Sequence, residues 1–332
     1  MSSINDVARL AGVSTATVSR VISGKGYVSE ETRKIVQKVI EELEYTPSKT
    51  ASGLARRKNF RIGAVFSERI LNYEKNDGRD FLGDGFYTTV FRGIKEKAGK
   101  LNMTVNILML EDQRKQISSD YDAFLLIGGD VTEEDVLLFR ACEKTFILVD
   151  QHLKGCSVDS VVSNGYDGAV SCVTHLIEEG YSRIFHIHGP LLHYGFKDRY
   201  EGYRDAMKQY GFFPRTFQCD DINDDFNLLL PQIFKNEGMP DCIFAGNDSM
   251  AKKIMTFFHK AGYKVPDEIA LAGFDDAVFA STMSPSLSTV KVYRYEMGDL
   301  AVERIRQLLY DENVHPIKIS LHTSFIKRDS SL

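Results

Sequence analysis

The sequence predicts an α/β protein in which a small all-α helix-turn-helix headpiece precedes a large two-lobed body built on parallel sheets. Three observations lead there. Apolar residues recur at helical spacing through residues 4–43, with a glycine break after the first stretch. A short basic segment with almost no apolar content follows at 48–58. From residue 60 onward, short apolar strands alternate with amphipathic helices, the rhythm of parallel sheets covered by helices on both faces.

Ile4, Val7, Ala8 and Ala11 fall at i, i+3, i+4 and i+7, one apolar face of a short helix. Ser3, with Asp6 three residues later, can cap its start. Gly12 ends it, and Ser14 is placed to cap a second helix whose buried stripe is Thr17, Val18, Val21 and Ile22. Two short helices joined by a glycine-containing turn match the helix-turn-helix pattern. Thr15, Ala16, Ser19 and Arg20 lie off that stripe and are small, hydroxylated or basic. Such a face lets a backbone sit deep in a major groove, where an arginine reaches a guanine edge and small methyls touch thymine. A third helix, capped by Ser29 and striped by Ile35, Val36, Val39, Ile40 and Leu43, stops before Pro47 and reads as scaffold.

Residues 48–59 form a hinge or linker, too short to hold a helix alone in water. Leu54 is its only large apolar residue before Phe60. It is either a wedge between base steps in a minor groove or an incidental linker leucine. Charge is divided unevenly along the chain. The whole sequence carries −5, but residues 1–60 hold ten basic and six acidic side chains. A mildly basic head on an acidic body fits a phosphate-binding module joined to something else.

The body spans 60–332, enough for two α/β units. Ile62–Phe66, Val105–Met109, Ala123–Ile127 and Phe146–Val149 are the expected strands of the first, with helices marked by Phe86 to Ala98 and by Thr132 to Glu143. The second half repeats the rhythm, with strands at Ile184–Ile187, Cys242–Ala245 and Ile269–Ala272, and helices near Gly168–Glu179, Arg199–Tyr210 and Ser249–Ala261. Ligands of open α/β sheets bind in the crevice beyond the carboxyl ends of the strands.

The run Ile4-Asn5-Asp6-Val7-Ala8-Arg9-Leu10-Ala11-Gly12-Val13-Ser14-Thr15-Ala16-Thr17-Val18-Ser19-Arg20-Val21 strongly resembles the headpiece of the lactose-repressor (LacI/GalR) family. So do Val28 to Arg33, and Tyr45-Thr46-Pro47-Ser48 leading into Gly53-Leu54-Ala55. The resemblance continues in Arg199-Tyr200-Glu201-Gly202-Tyr203, in Phe244-Ala245-Gly246-Asn247-Asp248, in Gly273-Phe274-Asp275-Asp276 and in Pro285 to Val290. It implies that Thr15, Ala16 and Arg20 read bases, with Ser14, Thr17, Ser19 and Arg56 as further DNA contacts, and that Leu54 kinks the operator. Ser52 stands where many members carry arginine. The resemblance also implies a periplasmic-binding-protein-like (type I) core whose lobes cross near residues 160, 290 and 321. The N-lobe would then be about 60–160 with 291–320, and the C-lobe about 161–290 with 321–332.

Cleft chemistry of this kind suits a polyol. Arg199, Asn247 and Asp275 lie at strand ends and carry groups able to bind hydroxyls in pairs, with Asp150 as their counterpart from the N-lobe. Phe86, Tyr87, Tyr194 and Phe196 are placed to stack on a sugar face. Asn247 or Asp248 can equally cap the following helix. A sugar phosphate or purine is the alternative effector, kept open by Lys197 beside Arg199. The expected protein is therefore an allosteric regulator: a cytoplasmic homodimer on double-stranded operator DNA, its affinity set by a small effector, expected to be a sugar. No catalytic residue, cofactor or metal is expected. No nucleotide-binding or nucleophile motif is present, His186, His188 and His193 lack a matching ligand set, and Asp221-x-Asn223-x-Asp225 lacks the glycine and glutamate of a calcium loop. Five cysteines without a C-x-x-C suggest reduced thiols, and no apolar run is long enough to suggest a membrane span.

Overall fold

The computed structural model describes residues 4–23, 28–43, 59–76, 85–220, 223–311 and 314–331. Leu54 and Arg56, with the proposed hinge around them, lie outside these residues, as does Ser3. The chain divides into two units, Met1–Lys58 and Asn59–Leu332.

In the first unit, α1 (Ile4–Leu10), α2 (Thr15–Ser23) and α3 (Glu30–Glu42) pack their periodic faces together. Val7, Ala8, Ala11, Val18, Val21, Val36 and Val39 make the core. Gly12 adopts a φ of +66°, the left-handed geometry that closes a helix C-terminus at little cost only in glycine. The Val13 amide then reaches back to the Ala8 carbonyl at 3.1 Å. Ser29 caps α3 by accepting from the Thr32 amide. Ile35, expected in the α3 stripe, is instead 48% exposed, so the buried face is narrower than the periodicity suggests.

The second unit holds two parallel sheets. Six strands form the N-lobe sheet: β1 (Arg61–Phe66), β2 (Thr104–Met109), β3 (Ala123–Ile127), β4 (Thr145–Val149), β5 (Ser160–Ser163) and β11 (Lys318–Leu321), in the order β11-β5-β4-β3-β1-β2. The C-lobe sheet has the order β7-β6-β8-β9, from β6 (Ile184–His188), β7 (Arg215–Gln218), β8 (Cys242–Ala245) and β9 (Ala270–Ala272). Strands buried on both faces need unbroken apolar runs, and β3 is buried along its whole length.

The helices of this unit are α4 (Glu68–Asn76), α5 (Phe86–Lys100), α6 (Leu110–Lys115), α7 (Glu133–Ala141), α8 (Gly165–Glu178), α9 (Tyr194–Gln209), α10 (Phe226–Glu237), α11 (Asp248–Ala261) and α12 (Arg294–Tyr310). Two glycines let α5 and α12 cross closely. A Cβ at Gly93 would meet the Tyr295 carbonyl, and one at Gly298 would meet the Val90 carbonyl.

The first crossover corrects the expected lobe boundary. β5 pairs with β4 and β11, so residues 160–163 belong to the N-lobe and the chain leaves it at Asn164. The other two crossovers run antiparallel as β10 (Thr289–Lys291) and β12 (Ser324–Ile326). Asp225, from the rejected calcium-like stretch, caps α10 by accepting from the Asn227 amide at 2.8 Å. His186 donates from Nδ1 to the Phe244 carbonyl inside the C-lobe, where burial pushes its pKa down to about 3.

Candidate functional site

Two sets of residues carry candidate chemistry, one in each unit. In the headpiece, Val18 and Val21 are buried while Ser14, Thr15, Ser19 and Arg20 are exposed. The outward face of α2 is therefore small, hydroxylated and basic. Ser14 Oγ accepts from the Thr17 amide at 3.2 Å and lies 2.9 Å from the Thr17 hydroxyl, so this pair also fixes the start of the helix. Ala16 is on the same helix, but its side chain lies outside those described.

In the second unit, strand ends from both lobes converge. Arg199 on α9 donates from Nη1 to the Gly246 carbonyl at 2.6 Å and from Nη2 to Asp275 at 3.2 Å, and its guanidinium sits 4.0 Å over the Phe274 ring. Its Nε is buried without a hydrogen-bond partner among the described residues. Asp275 follows β9 and Asp150 follows β4, and both take positive φ, +120° and +55°. Aspartate enters the left-handed region more readily than most residues, so Asp150 is ordinary there, whereas the +120° of Asp275 lies outside it and is held by the surrounding structure.

The Tyr87 hydroxyl donates to Asp150 at 3.0 Å. Burial lifts the Asp150 carboxyl to about 6, and Asp275 adds to the rise, while Arg199 and the Tyr87 hydroxyl oppose it. Burial raises Asp275 as well, against Arg199 and Arg294. Tyr87, Asp150, Arg199 and Asp275 thus form one polar cluster drawn from both lobes.

The other expected contacts fare differently. Phe196 belongs to the C-lobe core, seated where a Cβ on Gly189 or Gly246 would meet its ring. This corrects its expected part as an open stacking face. Asn247 caps α11, its Oδ1 accepting from the Met250 amide at 2.8 Å, so the capping alternative accounts for that oxygen. The Tyr194 hydroxyl accepts from Lys318 at 2.9 Å, and its ring meets His152 edge-on, both groups belonging to the N-lobe. Phe86 is half-buried and packs edge-on against Tyr87.

Sequence reasoning missed Ser67, Arg69 and Asp130. Ser67 and Asp130 follow the carboxyl ends of β1 and β3, the same positional signal that singled out Asp150. Arg69 Nε lies 2.9 Å from Asp130, and Ser67 also donates to it. Burial pushes the Asp130 carboxyl up, but hydrogen bonds from His193 and Ser67 and the Arg69 charge outweigh it and hold the pKa well below the usual range.

Behind the cluster, Asp248 accepts from the Ala277 amide at 2.7 Å and from the Thr289 hydroxyl at 2.6 Å, joining α11 to the second crossover. Burial lifts it from 3.8 to about 8, with Asp275 adding to the rise. A folded value above the unfolded one means that folding favours the protonated group. Its stabilising contribution is full below about pH 4 and is lost as pH rises toward about 8. The melting temperature should therefore fall between about pH 5 and about pH 8 in thermal melts, and Asp248→Asn should flatten that slope. An unchanged slope in the variant would remove Asp248 as its source.

Two family models match the chain. Residues 3–48 match the model described as bacterial regulatory proteins, lacI family, and residues 173–331 match the periplasmic binding protein-like domain. The chain is 27% identical to the HTH-type transcriptional repressor PurR of Vibrio atlanticus, over 99% of this chain and 98% of that one. It is also 27% identical to the ribose operon repressor of Escherichia coli, over the whole of both chains. Among solved structures, a lac repressor dimer bound to operator and the anti-inducer ONPF is 24% identical, covering 100% of this chain and 99% of that one at a TM-score of 0.71. That likeness concerns the fold. Among the described residues, no helix is long and apolar enough to cross a membrane.

Proposed function

The chain belongs to the lacI family of bacterial regulatory proteins, and on that premise we propose that it is a sequence-specific transcriptional repressor controlled by a sugar. The sugar binds between the lobes, and operator affinity follows from it. The observation that carries this reading is the cluster of Tyr87, Asp150, Arg199 and Asp275, in which two lobes present buried donors and acceptors to one space. A polyol fits it, since each hydroxyl both donates to a carboxylate and accepts from a guanidinium. Arg199 is already matched by Asp275, and Asp150 is a further carboxylate, which favours an uncharged sugar over a sugar phosphate. One relative is named a ribose operon repressor, and a sugar phosphate or purine is the alternative effector, so all three classes belong in the test.

Two copies of the chain, as in the lac repressor dimer on its operator, would place two α2 helices in successive major grooves. Leu54 and Arg56 would act in the minor groove between them. The protein would act on DNA in the cytoplasm as a binding protein, without catalysing a reaction. An effector shifts such a system only by its differential affinity for the two lobe arrangements. DNA selected from a random pool by the full-length protein supplies the operator. Gel shifts on that DNA, with and without sugars, sugar phosphates and purines, test the proposal. A sugar that changes operator affinity about 5–150-fold supports it. Equal binding to all DNA would sink the regulator, and a response confined to purines or phosphates would sink the sugar.

Within the headpiece, Arg20→Ala is expected to cost about 1–3 kcal/mol on the selected operator and to relax preference at one base pair. Binding titrations on single-base operator variants measure both. A uniform loss on every sequence would show that Arg20 touches phosphate only.

A further inference from the structure

Asp130 collects donors from both lobes. Ser67 and Arg69 reach it from the N-lobe, and His193, which precedes α9 in the C-lobe, places Nε2 3.3 Å from its Oδ1. Arg69 Nη2 in turn lies 3.0 Å from His193 Nδ1. The same Nη2 lies 3.3 Å from Nε2, but Nε2 faces Asp130, so the arrangement that serves both partners has Nε2 donating to Asp130 and Nδ1 accepting from the guanidinium, which only donates. A single imidazole tautomer therefore satisfies both N-lobe partners at once.

The ring is also seated by shape. A Cβ on Gly129 would lie 2.6 Å from His193 Cγ, so glycine at that position is what lets the ring approach the N-lobe backbone. Phe196 stacks on the ring at 6.1 Å with planes 22° apart. The contact adjoins the effector cluster, since the charges of Asp130 and Arg69 act on Tyr87, whose hydroxyl donates to Asp150.

We propose that His193 is a positioning residue which ties the C-lobe to Asp130 and Arg69 and so holds the cleft closed around Tyr87 and Asp150 before any effector binds. This rests on the reading of the cleft as the effector site, but its test needs no effector. Hydrogen exchange is followed on the ligand-free full-length protein. His193→Phe keeps a ring against Gly129 and Phe196 and removes both nitrogens. Exchange at residues 128–131 and 190–195 should accelerate about fivefold or more, while β8 in the C-lobe core stays protected. Asp130→Asn should do the same, and the double variant should be no worse than either single one, because all three break one tie. His193→Gln, which retains a donor, should restore part of the protection.

Unchanged exchange in His193→Phe, or additive effects in the double variant, would overturn the proposal. If β8 also loses protection in His193→Phe, the decision passes to Arg69→Met, at a partly exposed position; unaltered exchange at 190–195 there overturns it equally. A failed sugar screen leaves this result standing, and an untied His193 leaves the sugar reading standing, so the two fail separately.

Discussion

Arg199→Ala is expected to abolish the effector response while ligand-free operator binding stays within about fivefold of the parent protein, the lower edge of a typical coupling. Arg199 contacts Asp275, the Gly246 carbonyl and the Phe274 ring together, and its charge acts on Asp150 from across the cleft. Removing it leaves two buried carboxylates facing each other without that cation. Each would be pushed further toward protonation, and a hydroxyl arriving between them would lose its donor. Breaking a buried pair on one side costs about 3–5 kcal/mol, so a melt of each variant must accompany the titrations. Asp275→Asn should retain part of the response, because an amide oxygen still accepts from Arg199. Operator titrations with the active sugar present and absent decide the matter. A full response in Arg199→Ala would remove this residue from the site and leave the cleft reading without its centre.

The headpiece was almost fully legible because its signals are local. A glycine at a left-handed turn, serine caps and valines at helical spacing act within a few residues of each other, and α1, α2 and α3 form where that spacing puts them. The parallel strands with unbroken apolar runs, such as β3 and β8, were equally plain. What escaped were elements whose sense comes from distant partners. β5 is Ser-Val-Val-Ser, too short and polar-ended to stand out, and it is a strand because β4 and β11 flank it. α10 carries Pro231 inside the helix, and the buried face of α12 includes Gly298 and Arg304 beside its apolar residues.

In the cleft, Asp275 and Asp150 were visible as polar groups at strand ends, whereas Arg199, expected at a strand end too, stands on α9. Phe196 carried the same aromatic signal as a stacking residue, yet it fills the core, because glycines at 189 and 246 leave it that space. Asp130 and His193 gain meaning only from each other. They are 63 residues apart in sequence and meet only through the lobe arrangement, which no local pattern encodes.

Arg304→Met should destabilise the second unit by about 3–5 kcal/mol without altering effector affinity, the signature of a buried pair that holds the frame. Arg304 on α12 and Asp159 just before β5 are both almost fully buried, with Nε and Oδ1 2.7 Å apart. Arg304 also donates to the His315 carbonyl at 2.6 Å, and Asp159 also accepts from the Ile317 amide at 3.0 Å. The pair therefore fastens α12 to the strand that leads out of the N-lobe and to the segment that leads into β11. Methionine keeps most of the volume but leaves Asp159 buried with one amide donor and no cation. At about 2–4 °C per kcal/mol for a unit of this size, the melt should shift down by roughly 10 °C. Adding Asp159→Asn should recover part of the loss, since the remaining group is then neutral and can still accept from Ile317. By contrast, Lys38→Ala breaks a pair with Glu42 exposed on both sides and should change stability by less than about 1 kcal/mol. Thermal melts of the single and double variants, with effector titrations alongside, separate the outcomes. A loss in Arg304→Met as small as that in Lys38→Ala would show that the frame around β5 is held by apolar packing instead, and a weakened effector response at unchanged stability would move the pair from the frame to the site.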